Sequence, residues 1–268
     1  STLPTASSTP DTLGAIAAAI LYFDPALADY HNEGTMKPIK VIAVPGSVVN
    51  CQYPATVGAS PVNVGVQIME AVIEALSKAL PHHAIAAWGK HRGDYLFAVD
   101  PRTGEKYVRT CFDYDGSAGA VWGYDGYQAV STLTAMGAAH RDNVEEMEAR
   151  VPWRALRWEF VPDFSGAGRW RGGPGVHWEA VNEGTDGQMA TGSSDGDVVQ
   201  GFGAGGGEPT PVSRTFLRRD GEDIRVIFEV RAEQYRDDLG VIKVTLGEER
   251  PQGTVGEPAG EDFLFRRA

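Results

Sequence analysis

Residues Asn143 to Gly175 read NVEEMEARVPWRALRWEFVPDFSGAGRWRGGPG. Four glutamates, five arginines and five glycines are set there among short apolar runs. A short helix over Asn143–Arg150 is expected first, because Asn143 suits an N-cap and Glu145, Glu146 and Glu148 then lie toward the positive end of the helix dipole. The run from Leu156 to Pro162 reads as a strand. Beyond it, Gly166, Gly168, Gly172, Gly173 and Gly175 repeatedly interrupt regular structure, which marks tight turns or close approach of the backbone to another group. If these glycines hold backbone conformations that a Cβ disfavours, a valine at Gly172 destabilises the fold.

Upstream, LGAIAAAILYF from Leu13 to Phe23 predicts a buried alanine-rich helix. Asp11 is positioned to cap it, and the Asp24-Pro25 step ends it. Spanning about a dozen residues, it falls short of the roughly 20 needed to cross a bilayer. The β-branched run Pro38 to Asn50 predicts a strand broken by a turn at Pro45-Gly46. Val64 to Leu80 repeats apolar residues at Val64, Ile68, Val72, Leu76 and Leu80, with Glu70, Glu74 and Lys78 on another face, as expected of a core-covering amphipathic helix. Strands are expected around 84–89, 95–100 and 106–112, and again at 175–181, followed by a hairpin turn over Asn182–Gly187 and strands at 225–230 and 241–246. The fold class is therefore α+β. A mixed α/β first part, residues 1–152, packs tightly on a β-rich, glycine-rich second part, residues 153–268, because Arg150 to Trp158 is too apolar and aromatic for a free hinge.

Composition narrows the function classes. The chain has 268 residues, 42% of them hydrophobic, enough to bury a substantial core. Its 24 basic and 36 acidic residues leave a net charge of -12, which argues against nucleic acid or an anionic membrane as the main partner. Cys51 and Cys111 are too few for a disulfide framework and read as buried thiols in a reducing cytoplasm. Asp113, Asp115 and Asp125 lack the spacing and terminal glutamate of a calcium loop. The GFGAGGG run at 201–207 lacks the lysine-serine ending of a phosphate loop and reads as a turn between strands. His82-His83 follow a helix end, and His140 stands just before the glutamate helix; no local set of donors completes a metal site around them.

The candidate chemistry gathers around the opening stretch. Glu145 or Glu148, if turned inward to meet Arg157, Arg169 or Arg171, can orient a carbonyl or phosphate through charge-assisted contacts. Asp163 and Ser165 either cap the glycine turn or present oxygens to a ligand. Arg169 and Arg171 can bracket an anion, or form a structural salt bridge with the glutamate helix.

The order of these pieces resembles the hydantoinase B/oxoprolinase family from about Pro10 to about Pro209. Asn32 and Gly34 come first, then Pro45, Gly46, Ser47 and Asn50, then Asn143, Glu145 and Glu148 before Pro152. Asp163, Ser165, Gly166, Gly168 and Arg169 follow, then Arg171-Gly172-Gly173. The resemblance implies part of the B-type component of an ATP-dependent hydantoinase, oxoprolinase or acetone- or acetophenone-type carboxylase. ATP is then used on an A-type partner subunit, and a divalent metal is expected on a partner chain rather than here. The chain starts where the second half of a B-type chain is expected to start, which implies a split subunit, a processed fragment or an expressed domain, inactive alone, with another chain supplying the first half. On this resemblance Glu145, Glu148 and Arg171 are the catalytic candidates, and Asp163, Ser165 and Arg169 the substrate-binding ones. The competing expectation is a non-catalytic assembly subunit that completes the fold of a partner.

Overall fold

The computed structural model describes residues 6–58, 60–90, 92–111, 116–130, 133, 143–183, 185–194, 196, 199–219, 222–227 and 247–249. The chain divides into two compact units, Thr5–Val212 on the one hand, and Ser213–Ala268 with Ser1–Pro4 on the other. Both contain antiparallel sheet, and among the described residues the helices belong to the larger one, which makes the fold α+β. Among the described residues no helix is long and apolar enough to cross a membrane.

In the larger unit, α1 (Thr9–Phe23) begins with proline in its first turn and stops at Asp24, whose φ of -136° is the non-helical geometry a following proline imposes. Asp11 lies inside the first turn instead of capping it, and its Oδ2 accepts from Ser7 Oγ at 2.9 Å and from Ser60 Oγ. A four-residue helix, α2 (Glu33–Met36), is closed by an Asn32–Thr35 capping box. Helix α3 (Val66–Ala79) packs on α1, and Ala15, Ala19, Met69, Ile73, Ile85 and Leu133 form one core cluster. Tyr22 reaches over this cluster, donates to the Leu133 carbonyl at 3.0 Å and packs edge-on against Trp88; burial pushes its phenol up to about 12.

The buried face of α3 is rotated from the one its leucine and valine spacing predicts. Val66, Met69, Glu70, Ile73 and Ser77 are buried, while Leu80 is 47% exposed. The rotation carries Glu70 inward, where it forms an ion pair with the equally buried Lys90; Lys90 Nζ also lies 3.4 Å from Gln67 Oε1. A carboxylate on the inner face of a helix is tolerated because its cation is buried with it. Ser77 Oγ adds a second polar link, accepting from Ile85 N at 3.1 Å.

Strands β1 (Arg92–Val99) and β2 (Lys106–Cys111) occupy the expected stretches and pair antiparallel, whereas the strand expected at 84–89 does not form, Ile85 making only an isolated bridge to Val121. Helix α4 (Val144–Arg150) starts at Asn143, whose Oδ1 accepts from Glu146 N at 2.6 Å. It leads into β3 (Trp153–Val161), which pairs with β4 (Gly175–Asn182). The next strand, β5 (Thr185–Ser194), departs from the expected hairpin: it pairs with β1, giving a sheet of order β2-β1-β5 apart from β3-β4. A short connection permits pairing with the preceding strand but does not compel it when another edge is free. Leu96, Met147, Val151 and Trp153 form a second core cluster inside the larger unit.

Residues 39–44 form no strand, contrary to the reading of their β-branched run; a turn over 45–50 follows, with Gly46 at φ 82° and a single Ser47–Asn50 bridge. Stretches with high β-propensity stay irregular when no neighbouring strand pairs with them. In the smaller unit the described residues form one antiparallel sheet of order β6 (Thr215–Arg219), β7 (Glu222–Ile227), β8 (Gly247–Glu249). The expected strand at 241–246, and the end of the one at 225–230, lie outside the described residues.

Replacing Lys90 with methionine should leave the Glu70 carboxylate buried without its cation and cost about 3–5 kcal/mol. Urea unfolding should show that loss, and the double variant Glu70→Leu/Lys90→Met should recover most of it.

Candidate functional site

Four glycine-rich segments meet backbone to backbone. Gly89 N donates to Ser117 O at 2.8 Å and Ala86 N to Ala120 O at 2.9 Å, while Ala87 N reaches Phe202 O at 3.0 Å. On the other side of the loop at 116–130, Gly173 N donates to Ala118 O at 3.0 Å and Gly126 N to Arg171 O at 2.8 Å. Glu208 N closes the set on Ala167 O at 2.8 Å. A Cβ at Gly89 would lie 2.5 Å from Gly116 Cα, and one at Gly173 would lie 2.7 Å from Tyr127 O and run into Ser117 Cβ. These glycines are required by close approach, the second of the two readings that the sequence leaves open.

That distinction corrects the expectation for Gly172, where a Cβ would meet nothing nearer than 3.7 Å and the backbone is not left-handed. In this turn the left-handed residue is Asp163, with φ 55°, a conformation aspartate adopts more readily than most side chains. Gly205 and Gly206, at φ 59° and 88°, turn the 201–207 run between β5 and β6, and among the described residues no helix follows to offer its N-terminus to a phosphate.

The turn after β3 carries four of the six candidate residues. Arg171 is tied by its backbone, since its N–H donates to Asp125 Oδ1 at 2.7 Å and its carbonyl accepts from Gly126. Its guanidinium Nη1 donates to Asp163 Oδ1 at 3.2 Å, an exposed pair worth about 0–1 kcal/mol. Arg169 lies over the Trp170 ring, 4.9 Å from its centroid; Trp170 meets Trp122 at a tilt with centroids 5.0 Å apart, and Trp122 meets His82 edge-on at 4.6 Å. Ser165 is half-buried beside Gly172.

The two glutamates stand elsewhere. Glu145 is exposed, and Glu148 turns toward β3, where its Oε1 accepts from Ala155 N at 2.9 Å. Neither meets Arg157, Arg169 or Arg171, so the salt bridge expected between the glutamate helix and those arginines does not form. The cause is local supply of charge: Arg171 pairs with Asp163, Arg157 with Glu159 at 3.4 Å on the outer side of β3, and Glu146 with Arg150 one helical turn on.

Glu148 instead borders a cleft of ≈ 370 Å³ with Arg102, Trp153, Arg154 and Glu183. Arg102 Nη1 donates to the Glu148 carbonyl at 2.8 Å, and its Nη2 lies 2.7 Å from Asp100 Oδ2. The Arg102 hydrogen bonds hold the Asp100 carboxyl below its ordinary value and raise the guanidinium in return. Burial raises the Tyr107 phenol, whose oxygen accepts from the Trp153 indole at 2.7 Å. Periodicity does not single out Arg102 or the buried Glu70–Lys90 pair, because each becomes distinctive only through a partner distant in sequence. His91, His140, Asp113 and Asp115 lie outside the described residues, and Cys51 is free and half-buried.

A family model for hydantoinase B/oxoprolinase matches residues 7–248. The chain is 32% identical over 144 residues to the B subunit of a putative D-/L-hydantoinase from Pseudomonas sp. (strain NS671), a stretch that is 54% of this chain and 23% of that protein. It is 31% identical over 152 residues to the beta chain of the caprolactamase from Pseudomonas jessenii, covering 56% of this chain and 26% of that one. The chain thus spans about a quarter of the length of these curated relatives. Its fold is shared with the crystal structure of ATP-dependent caprolactamase from Pseudomonas jessenii, at TM-score 0.64 and 23% identity over 92% of this chain and 41% of the other. The nucleotide-free structure of acetone carboxylase is similar at TM-score 0.57 and 17% identity, over 65% of this chain and 24% of that one.

Gly173→Ala should lower the melting temperature, at a cost of about 1–3 kcal/mol for the overpacked contact with Ser117 and Tyr127. Gly172→Ala, with open space at its Cβ, should stay close to the parent. Equal melting temperatures for the two variants would contradict the close-approach account.

Proposed function

Because this chain belongs to the hydantoinase B/oxoprolinase family, we propose that it forms part of a B-type component of an ATP-dependent cyclic-amide hydrolase or ketone carboxylase. It works with an A-type subunit that uses ATP. Both curated relatives are named as one subunit of a larger enzyme, which supports a multi-subunit setting. Turnover therefore belongs to the assembly, and the isolated chain is inactive. A cytoplasmic location completes the reading, supported by the free Cys51 thiol.

The ATP and divalent metal of this proposal are assigned to partner chains. Among the described residues no three His, Cys, Asp or Glu side chains converge on a point where an ion could be held. What this chain offers is charge and shape. Hydrolysis of a cyclic amide and carboxylation of a ketone both build negative charge on a carbonyl oxygen, which guanidinium and backbone N–H groups stabilise.

The observation that carries the ligand reading is the gathering of Asp163, Ser165, Arg169 and Arg171 on one turn whose backbone is fixed by Asp125 and Gly126. In the assembly Arg171 is the proposed catalytic cation, with Arg169, Asp163 and Ser165 binding substrate. Glu145 and Glu148 are the proposed carboxylates of the same reaction, supplied from α4. A second reading, a non-catalytic chain that completes a partner's fold, draws on Glu148, whose Oε1 is engaged by Ala155 N, and on the Asp163 partner of Arg171.

Arg171→Lys separates the two readings, since lysine keeps the charge but loses the planar two-pronged geometry. Measured per assembled complex, with the A-type partner and ATP present, turnover should fall about tenfold or more, a barrier change near 1.4 kcal/mol, with assembly intact. Weakened folding or association with unchanged activity per complex would favour the structural role. Robust ATP-dependent turnover by the pure chain would refute the dependence on partners.

A further inference from the structure

The cleft beside Glu148 carries charges of both signs on a fixed frame. Its walls come from the turn between β1 and β2, the end of α4, and the adjoining ends of β3 and β4. Its volume of ≈ 370 Å³ lies at the small end of the about 300–1,000 Å³ usual for small-molecule sites. Arg102 is held at three points, since its Nε and Nη2 donate to Asp100 at 2.9 and 2.7 Å and its Nη1 to the Glu148 carbonyl at 2.8 Å. Glu183 N donates to Pro152 O at 2.8 Å, which ties the end of β4 to the start of β3. Trp153 and Val151, both buried, supply the apolar lining, and the indole is fixed by its hydrogen bond to Tyr107.

The charged groups are anchored by part of their hydrogen-bonding capacity and keep the rest. Arg154 donates from Nε to Glu183 Oε1 at 2.6 Å; among the described residues its Nη1 and Nη2 groups find no acceptor, and the side chain is 54% exposed. Glu148 accepts from Ala155 N through Oε1 at 2.9 Å, and among the described residues nothing donates to its Oε2. An open guanidinium fork takes a carboxylate in two-pronged fashion, and a free carboxylate oxygen takes an N–H. With Asp100, Glu148 and Glu183 set against Arg102 and Arg154, carboxylates outnumber guanidinium groups by one. A purely anionic ligand therefore meets net repulsion, whereas a ligand with an anionic and a cationic end finds a complement for each.

We infer that this cleft binds an amino acid whose carboxylate and ammonium are separated by a short methylene chain. The carboxylate lies on Arg154, the ammonium on Glu148 Oε2 and the methylenes over Trp153. Opening a cyclic amide makes this class of molecule: water adds to the carbonyl carbon and the C–N bond breaks. The water oxygen stays on carbon in the carboxylate, and its two protons end on the nitrogen, which becomes an ammonium. Carboxylation of a ketone leaves a carboxylate beside a carbonyl, with no cationic end. The inference rests on the proposed function and selects, of its two reactions, the hydrolysis of a cyclic amide, with this cleft receiving the opened product.

Calorimetric titration of the full chain tests it, with γ-aminobutyrate and δ-aminovalerate as ligands and butyrate, butylammonium and acetoacetate as single-ended probes. At least one of the two amino acids should bind, one molecule per chain, about tenfold or more tighter than each single-ended probe. Arg154→Met should remove its advantage over butylammonium, and Glu148→Gln its advantage over butyrate. Circular dichroism should be unchanged in both, since the glutamine oxygen still accepts from Ala155 N. Arg154→Lys, which keeps a cation without the fork, should fall between the parent and Arg154→Met, and it replaces the methionine variant if that one does not fold. Arg157→Met, on the outer side of β3, should bind like the parent. Failure of both amino acids to bind, or binding that neither Arg154→Met nor Glu148→Gln alters, would overturn the site. Acetoacetate binding as tightly as the amino acids would overturn the selection of hydrolysis. The component reading is measured separately, by ATP-dependent turnover of a lactam and of a ketone by the complex assembled with the A-type partner. Turnover of either alongside a failed titration would leave that reading standing and overturn only the cleft; turnover of neither would overturn both.

Discussion

The larger unit depends on backbones that approach more closely than any side chain would allow. Gly89 against Gly116, Gly126 against Ala118, and Gly173 against Ser117 bring together segments that no single helix or sheet joins. Hydrogen bonds then satisfy the polar groups that this approach takes from water, which is the condition for burying loop backbone at all. The candidate turn inherits its geometry from this junction, because Arg171 is held through its own main chain and its guanidinium is left to face outward.

A second constraint acts inside the helical layer. Burying Glu70 and Lys90 together costs desolvation that their attraction roughly offsets, so the pair contributes less to stability than to a choice of arrangement. It favours the rotation of α3 that places Met69 and Ile73 on α1 and joins the helix to the segment leading into β1. The apolar spacing of the helix would equally serve a face centred on Ile68 and Val72, which here pack at the margin of the core.

Family membership and the distribution of candidate residues fit together without making one constellation. The turn after β3 groups an aspartate, a serine and two arginines, whereas the glutamates of α4 belong to a different neighbourhood built with Arg102, Asp100 and Ala155. Between them runs β3, whose alternation sends Arg157 and Glu159 outward to pair with each other.

Sequence alone determined the elements governed by local physics: α1 and its end at Asp24-Pro25, the Asn143 cap of α4, the strands β1 to β4, and a glycine-rich turn after β3. It also carried the family resemblance, since the order of Pro45-Gly46-Ser47, Asn143, Asp163 and Arg171-Gly172-Gly173 is itself sequence. Tertiary structure decided everything that needs a distant partner. The pairing of β5 with β1, the inward turn of Glu70, the partners of Arg171 and the absence of a strand at 39–44 all depend on residues far along the chain. Glycine illustrates the division well. Its position in a turn is legible from the sequence, but whether Gly172 or Gly173 is the one that cannot carry a Cβ depends on which backbone lies opposite, and only the folded chain places Tyr127 and Ser117 there.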